Sequence, residues 1–321
     1  MKPSTSLSFS DFPYGWFRVA YSDELTPKKV ISLRYFERDL VLWRTHDGEV
    51  QISEACCSCS THLKYGKVTA TGIRCPACDC GFDRKGSRER IFNSSQTLPQ
   101  APINSWSVAE TNGIIFVYYC PGGRSQHEPD WKIPKLPEYT DSGWTPVMRR
   151  RWQVRTSVYE AAENGVDTAH STCVHAQTFA ALKSKRLDMD KTTSTHHLSF
   201  INKLLGQKLN GSLTVTSYGL GCQVSRTIVE ALVKLQFTAI FLSTPIDRER
   251  LEIDLVFTMK KLANKQLTRL AIAPWLIGEI GKNLEQDIPI WENKIFQSQP
   301  LLCDGDGPII RYRHWARQFY N

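Results

Sequence analysis

Six of the ten cysteines lie within residues 56–80, and their spacing restricts the fold of this part of the chain more than any other feature. Cys56 and Cys59 form a C-x-x-C pair, and Cys75 and Cys78 form a second pair after fifteen intervening residues. Two pairs at this spacing are typical of a zinc ribbon, in which four thiolates close one tetrahedral site. The sequence therefore predicts two neighbouring loops that share a metal site. Further candidate ligands are Cys57 and Cys80.

The residues of this site are compatible with three states, of which two bind a metal and one does not. One is a single Zn or Fe ion bound by the two C-x-x-C pairs, and a second is an all-cysteine iron–sulfur cluster that also uses Cys57 or Cys80. The third is no metal, because cysteine is also a small residue that packs in hydrophobic cores. A disulfide framework is the weakest interpretation, since C-x-x-C pairs in a reducing compartment more often bind metals or act in redox chemistry.

The chain shows no pattern of a secreted or membrane-spanning protein. Its first twenty residues lack a basic leader followed by an apolar run, and the most apolar later segment, LAIAPWLIGEIG, is too short to cross a bilayer. We therefore expect a soluble, cytoplasmic protein with no membrane span. The net charge of +8 comes from scattered basic residues, which favours a role in solubility and gives no indication of nucleic-acid binding.

The order of β-rich and helix-rich segments predicts an α+β chain with two domains. Residues 12–122 contain β-rich runs such as DLVLWR and GIIFVYY and an Asp-Gly turn in THDGEV, which indicate a small antiparallel β domain with the cysteines on two of its loops. Residues 123–146 have the composition of an extended connector. Residues 147–321 combine helix-forming segments with alternating strands such as LEIDLVF, and a long helix there is expected to be interrupted early by Pro274.

The segment ENGVDTAHSTCVH brings together residues that can bind a metal, namely Asp167, His170 and His175. The two histidines are five residues apart, so a helix that carried both to one ion would have to end, tighten or bulge between them. Two imidazoles and one carboxylate form the facial triad that holds mononuclear Fe(II) for O2 chemistry. Asp287, in the apolar context LEQDIPIWENK, is the candidate third ligand, because an unpaired carboxylate there would be costly. The alternative is that both histidines are ordinary core or surface residues.

Several segments occur in the order expected of one enzyme family. They are GWFRVAYSDEL, RDLVLWRTHDGEV, GFD, WSVAETNGIIFVYY, ENGVDTAHSTCVH, EQDIPIWENK and DGDGPIIRYRHWARQFY. Over nearly its whole length the chain resembles the Rieske non-heme iron oxygenases, in particular the branch of ketosteroid hydroxylase oxygenase components and Neverland-type cholesterol desaturases. The resemblance implies a Rieske-like β domain followed by a helix-grip, START-like catalytic domain, a ring-shaped trimer, and electron supply by a ferredoxin or reductase.

The resemblance also implies roles for individual residues. His170, His175 and Asp287 become the ligands of a mononuclear Fe(II) ion. Asp167 becomes the acidic bridge between this iron and the Rieske cluster of a neighbouring subunit. Asn164 stands where the family has a residue that lines the same site.

The chain departs from the family at the Rieske cluster itself. A Rieske site needs C-x-H on one loop and C-x-x-H on the other, so that two cysteines hold one iron and two histidines hold the second. Alignment on neighbouring residues of the family places Cys56 and Cys75 on the cysteine positions, and Ser58 and Cys78 on the histidine positions. His62 is not favoured as a replacement, because the family often carries a histidine there that is not a ligand. A Rieske cluster with its usual ligands is therefore not expected.

One function is expected, with two alternatives. The expected function is O2-dependent hydroxylation or oxidation of a hydrophobic, steroid-like or polycyclic small molecule at the mononuclear Fe(II), in a homotrimer. In the first alternative the chain belongs to a heterotrimer and receives electrons from a homologous subunit with an intact Rieske cluster. In the second the iron acts as a Lewis acid in a non-redox isomerisation.

Overall fold

The structure is a computed structural model, which describes residues 12–57, 59–88, 102–121, 128–204, 207–231, 233–297, 299–303 and 306–320. Packing divides the chain into two compact units, with the boundary between Lys135 and Leu136. This boundary falls within the predicted connector, residues 123–146. Helices occur together with antiparallel sheets, which confirms the predicted α+β fold class.

The first unit, Tyr14–Lys135, is built from short strands. They are β1 (Gly15–Tyr21), β2 (Val30–Tyr35), β3 (Arg38–Arg44), β4 (Val50–Glu54), β5 (Lys67–Val68), β6 (Gly72–Arg74), β7 (Gly81–Asp83), β8 (Val108–Thr111) and β9 (Ile114–Tyr119). In the described residues they pair into three antiparallel sheets, in the orders β1-β9-β8, β2-β3-β4 and β5-β6-β7. The predicted small antiparallel β domain is therefore present.

Residues that tolerate a left-handed backbone close the hairpins of this unit. Asn112 (φ 55°) and Gly113 (φ 74°) connect β8 to β9, and Asn-Gly is the preferred pair for such a two-residue turn. The hairpin predicted from THDGEV is confirmed, because β3 and β4 pair across it and Gly48 adopts φ 90°. The cysteines of residues 56–80 lie on the β4–β5 and β6–β7 connections, as expected from their positions between β-rich runs.

The second unit is organised around one large sheet. Its strands are β10 (Met148–Val154), β11 (Ala181–Met189), β12 (Thr193–Leu204), β13 (Gln207–Tyr218), β14 (Cys222–Glu230), β15 (Leu235–Pro245) and β16 (Leu251–Met259). Its helices are α1 (Val158–Glu163), α2 (Thr168–Cys173), α3 (Lys265–Leu267), α4 (Ala273–Asn293) and α5 (Ile309–Arg317). The strands form a seven-stranded antiparallel sheet in the order β10-β16-β15-β14-β13-β12-β11.

Helix α4 packs on strands β10 and β16 of the sheet. Phe257 of β16 lies in one core cluster with Leu276 and Ile277 of α4, so burial of these side chains holds the helix on the sheet. A π-helical turn, residues 268–272, joins α3 to α4 just before Pro274, which lacks a backbone N–H. The early interruption of this helix predicted from Pro274 is therefore confirmed. Among the described residues, none of the helices combines the length and the hydrophobicity needed to cross a bilayer.

Candidate metal centres

The backbone around the two histidines forms the pair of short helices α1 and α2. Asp167 caps α2, where its Oδ1 accepts a hydrogen bond from the backbone N–H of His170 at 2.9 Å. Helix α2 ends at Cys173, and His175 follows in a turn. The helix thus ends between the histidines, which allows both imidazoles to face the same point.

His170, His175 and Asp287 meet in the second unit, with their ligand atoms within 4.8 Å of one another. Asp287 Oδ1 lies 2.7 Å from His170 Nε2 and 3.1 Å from His175 Nε2. The amide of Asn164 donates a hydrogen bond to the other carboxylate oxygen at 3.0 Å, and its nitrogen is 3.4 Å from His170 Nε2. All three ligand side chains are largely buried, so the set provides two imidazole nitrogens and a carboxylate in a partly dry site.

The charges of this site favour a bound cation. Burial raises the pKa of Asp287, but hydrogen bonds from His170 and His175 outweigh it and the pKa lies below its usual value. Asp287 is therefore a carboxylate at neutral pH. Burial raises the pKa of Asp167, which the hydrogen bond from His170 N–H only partly offsets. These residues fit a mononuclear iron site of the two-histidine, one-carboxylate type.

Gln286 contributes a contact that the sequence did not predict. Its Oε1 lies 2.9 Å from His175 Nδ1 and accepts the hydrogen bond when that nitrogen carries the proton. With the proton on Nδ1, Nε2 of His175 is the nitrogen that faces Asp287 with its lone pair available for a metal. A signal was present in the sequence, since Gln286 directly precedes a candidate ligand, but an isolated amide forms no motif.

We predict that Gln286→Leu weakens binding of Fe(II) about 10- to 100-fold, the range usual for loss of a hydrogen bond behind a metal-bound histidine. Gln286→Glu is the matched control, because its carboxylate keeps an acceptor at the same place. Anaerobic Fe(II) titration of the metal-free variants measures the effect. Equal affinity of the Leu variant and the unchanged protein would show that His175 is oriented by other contacts.

Binding of Fe(II) is also expected to weaken as the pH falls. Burial lowers the pKa of His175, but hydrogen bonds to Asp287 and Gln286 outweigh this and leave the pKa above its usual value. Protons therefore compete with the metal from a higher pH than for a free histidine, and the affinity should drop by about tenfold per pH unit below that pKa. In the Gln286→Leu variant one of the raising contacts is gone, so the drop should begin at a lower pH. Titrations at a series of pH values test both expectations, and an affinity independent of pH would refute them.

A cavity of about 360 Å³ opens beside the triad, whose three side chains form part of its wall. Most of the remaining wall is apolar, with contributions from Phe200, Leu213, Phe237, Phe241, Ile253 and Leu276. Gln223 is among the polar lining residues, and its amide already donates to the Ala162 carbonyl at 2.9 Å. The cavity therefore suits a hydrophobic molecule of moderate size with one end at the metal site.

The second group of candidate ligands consists of Cys57, Cys59, Cys75 and Cys78 in the first unit. Their sulfur atoms all lie within 4.8 Å of one another. The Sγ of Cys57 is 2.9 Å from that of Cys59, 3.5 Å from that of Cys75 and 3.6 Å from that of Cys78. Hydrogen bonds from Cys57 and Thr61 lower the pKa of the Cys59 thiol to about 6, whereas burial raises the pKa of Cys75 and of Cys78. The loops thus place four thiols where one metal centre can use them.

The structure differs from the sequence interpretation in the first of these ligands, since Cys57 takes the place expected for Cys56. Cys56 is exposed and forms an isolated β-bridge with His62, whereas the next side chain, Cys57, turns into the core. A turn closed by the hydrogen bond from Ser60 N–H to the Cys57 carbonyl then returns Cys59 to the group. Cys80 is buried nearby, but its thiol accepts a hydrogen bond from Arg88 at 2.8 Å and is not in the group.

The residues at this centre do not fit a Rieske cluster, which needs a histidine pair on one of its irons. Ser58, expected at one histidine position, lies outside the described residues, and Cys78 stands at the other. His62 is not part of the group, because its Nδ1 accepts from Lys64 N–H at 3.1 Å and its Nε2 lies 3.5 Å from Ser32 Oγ.

Both parts of the chain match known family models. The model described as the 3-ketosteroid 9alpha-hydroxylase C-terminal domain matches residues 117–320, and the Rieske [2Fe-2S] domain matches residues 15–102. Both models describe domains of Rieske oxygenases. Members of that family use iron, an iron–sulfur centre and O2, receive electrons from a reductase or ferredoxin, and often form multimers.

Individual relatives and a solved structure agree with these matches. The oxygenase component of 3-ketosteroid-9-alpha-monooxygenase from Rhodococcus rhodochrous is 25% identical over 324 residues, which cover 96% of this chain and 80% of the relative. Cholesterol 7-desaturase from Caenorhabditis elegans is 25% identical over 345 residues, which cover 96% of this chain and 77% of the relative. The crystal structure of dicamba monooxygenase bound to dicamba superposes with a TM-score of 0.73 at 14% identity and covers 98% of both chains, which shows the same fold. Since the first family model spans more than half of the sequence, the chain belongs to the Rieske non-heme iron oxygenases and is an oxidoreductase.

Proposed function

We propose that this protein is an O2-dependent oxygenase that hydroxylates or oxidises a hydrophobic substrate at a mononuclear Fe(II) ion. The observation that carries the proposal is the convergence of His170, His175 and Asp287 on one point in the wall of an apolar cavity. Fe(II) held by these ligands would supply the oxidising chemistry with O2. In a mostly apolar cavity a bound hydrophobic substrate would exclude water from the metal site.

The residues around the triad would hold the ligands in place during the reaction. Asn164 donates to the Oδ2 atom of Asp287, which leaves Oδ1 directed at the two imidazoles. Gln286 fixes the orientation of His175 from the opposite side of the ring. Neither contact depends on the substrate, so the site is organised before the substrate binds.

We propose a steroid-like or polycyclic substrate class. A cavity of about 360 Å³ lies in the size range of small-molecule sites, and its wall is mostly apolar. Relatives of this chain are named for a 3-ketosteroid and for cholesterol, both rigid fused-ring molecules. A rigid substrate loses little conformational entropy on binding, so apolar contact in such a cavity can fix which carbon faces the iron.

Electron supply is the least conventional part of the proposed function. The four thiols of the first unit would hold either a zinc-class ion or an all-cysteine iron–sulfur cluster, and zinc carries no electrons. Because both histidine ligands of a Rieske cluster are missing, a second candidate function is that of one subunit in a heterotrimer. A homologous partner subunit with an intact Rieske cluster would then reduce the iron of this chain. Where the neighbouring subunit holds an iron–sulfur cluster, whether that subunit is a second copy or a homologous partner, Asp167 at the N-terminus of α2 beside His170 would be the bridging carboxylate at the subunit interface.

A single-turnover experiment tests the proposal. Protein loaded anaerobically with Fe(II) is mixed with a panel of steroid-like and polycyclic molecules and with a limiting amount of a chemical electron donor, and is then exposed to O2. The donor is needed because each hydroxylation with O2 takes two electrons, whereas Fe(II) gives one and a zinc ion at the thiols would give none. An oxygenated product in an amount comparable to the iron present is expected, and product formed without O2 would instead support the isomerase alternative. The exposed thiol of Cys173, at the end of α2, provides the control variant Cys173→Ser, which should retain activity. Iron that never reacts with O2 in the presence of any of these molecules would overturn the proposal.

The heterotrimer is tested by the protein's own assembly. Purification of the chain expressed alone, followed by measurement of its mass and of turnover with a ferredoxin and reductase, separates the two cases. Multiple turnovers by a homotrimer would rule out the need for a partner. Activity restored only on addition of a homologous subunit with C-x-H and C-x-x-H loops would support it.

A further inference from the structure

We infer that the four thiols of the first unit bind one tetrahedral metal ion without sulfide, with Zn²⁺ as the ion that such a site favours, in place of a two-iron Rieske cluster. The inference deepens the proposed function, on which it rests only in that the four thiols bind a metal. It concerns the ligand set Cys57, Cys59, Cys75 and Cys78.

The distances between the sulfurs carry the inference. Metal–sulfur bonds of about 2.3 Å in a tetrahedron place neighbouring sulfurs about 3.8 Å apart. Between the two loops, Cys57 is 3.5 Å from Cys75, and Cys59 is 3.7 Å from Cys75. These separations match the edge of a tetrahedron around one ion.

A two-iron cluster requires a different arrangement. Each iron takes two ligands, and the second iron and the bridging sulfides stand between the two pairs, so the pairs must be well separated. In this protein the sulfurs of Cys57 and Cys59 are 2.9 Å apart within one loop, the distances across the loops are 3.5 to 3.7 Å, and no pair of the four sulfurs exceeds 4.8 Å. The sulfurs therefore surround one position and leave no room for a second metal.

Polar contacts to the sulfurs give further support. The backbone N–H of Cys59 donates to Cys57 Sγ at 3.4 Å, and Thr61 Oγ1 lies 3.2 Å from Cys59 Sγ, where its hydroxyl can donate to a metal-bound thiolate. Four thiolates around a divalent ion carry an excess of negative charge, which N–H donors stabilise.

The ion would have a structural role. Cys57 and Cys75 are buried in one core cluster, which also contains Leu63, Ile73 and Phe82. Cys59, in contrast, is exposed. One metal would therefore fasten the β4–β5 connection to the β6–β7 connection at the edge of this core. Because the folded loops bind the metal and the unfolded loops do not, metal binding stabilises the folded state. Removal of the metal by a chelator should therefore lower the melting temperature of this unit.

Metal and sulfide analysis tests the inference in a background that lacks the iron triad. The full chain carrying His170→Ala and His175→Ala should contain about one zinc per chain and no acid-labile sulfide. After replacement of zinc by Co²⁺, its spectrum should show the visible ligand-field bands of a tetrahedral thiolate site. Because this background has no catalytic iron, failure of the oxygenase reaction would leave these readings unchanged. Two irons with labile sulfide per chain, or no metal bound by these thiols, would overturn the inference.

Adjacent cysteines supply a matched pair of variants. Cys57→Ser should lower the zinc content at least about tenfold, whereas Cys56→Ser should retain it, since Cys56 lies outside the group. Cys57 is buried, so its loss could also harm folding, and the exposed Cys59 offers the variant Cys59→Ser with the same expected loss. Retention of zinc by both Cys57→Ser and Cys59→Ser would show that the ligand set is wrong.

Discussion

Replacement of Asp287 by asparagine is expected to lower the Fe(II) affinity of the triad by more than about 100-fold, beyond the loss typical of a residue behind a ligand. Asp287 supplies the only carboxylate of the three-ligand group, and its Oδ1 lies within 3.1 Å of both histidine Nε2 atoms. An amide of the same shape carries no charge, and one of its two ends is an NH₂ group that cannot bind a metal. Activity should fall with iron content.

Iron content after anaerobic loading and single-turnover product yield measure this effect together. Glu285→Gln is the matched control, because Glu285 precedes the ligand by two residues on α4, is half-exposed and lies 3.9 Å from Arg150. It removes the same charge from the same helix without touching the triad. An Asp287→Asn variant that binds iron as well as Glu285→Gln does would exclude Asp287 as a ligand.

Much of the candidate iron site could be predicted because most of its parts are close together in the sequence. Asp167, His170 and His175 lie within one short segment, and a break between the histidines follows from helix geometry if both bind one ion. Asp287 comes from a distant helix, and only its apolar context and the family pattern identified it. The structure brings it within hydrogen-bonding distance of both imidazoles.

The cysteine loops show where sequence reasoning reaches its limit. Cys56 and Cys57 are adjacent and chemically identical, so spacing cannot decide which of them is the ligand. The decision is made by the backbone, because the bridge from Cys56 to His62 turns the Cys56 thiol outward and the next one inward. With Cys56 as the first ligand the loop would be C-x-x-C, whereas with Cys57 it is C-x-C. The C-x-C spacing is that of the C-x-H loop of a Rieske site, with cysteine in place of the histidine.

The fold itself shows the same division between local and non-local information. Hairpins such as β3–β4 follow from turn residues, and the sequence predicted that one correctly. The pairing of β10 with β16 joins strands about a hundred residues apart, and no local pattern specifies it. Burial accounts for this pairing. Every residue of β16 is buried, so the strand needs a hydrogen-bonded neighbour on each side, and these neighbours are β10 and β15.

Loss of the buried Arg313, which pairs with the residue before Asn164, is expected to lower the stability of the protein strongly. Arg313 of α5 forms two hydrogen bonds to Glu163 of α1, one of them 2.8 Å long, and both side chains are at most 7% exposed. Among the described residues, Arg313→Leu would leave the buried Glu163 carboxylate with Lys294, 3.7 Å away, as its one remaining ion-pair partner, and it should lower the free energy of unfolding by about 3 kcal/mol. Because Glu163 directly precedes Asn164, the iron site should loosen as well. Urea unfolding measures the loss, and Arg317→Leu, at an exposed position of the same helix, is the control.

The double variant Glu163→Gln, Arg313→Leu should recover part of the stability, since it removes the unpaired charge. If the double variant were no more stable than Arg313→Leu, packing of the arginine rather than charge pairing would hold α1 and α5 together.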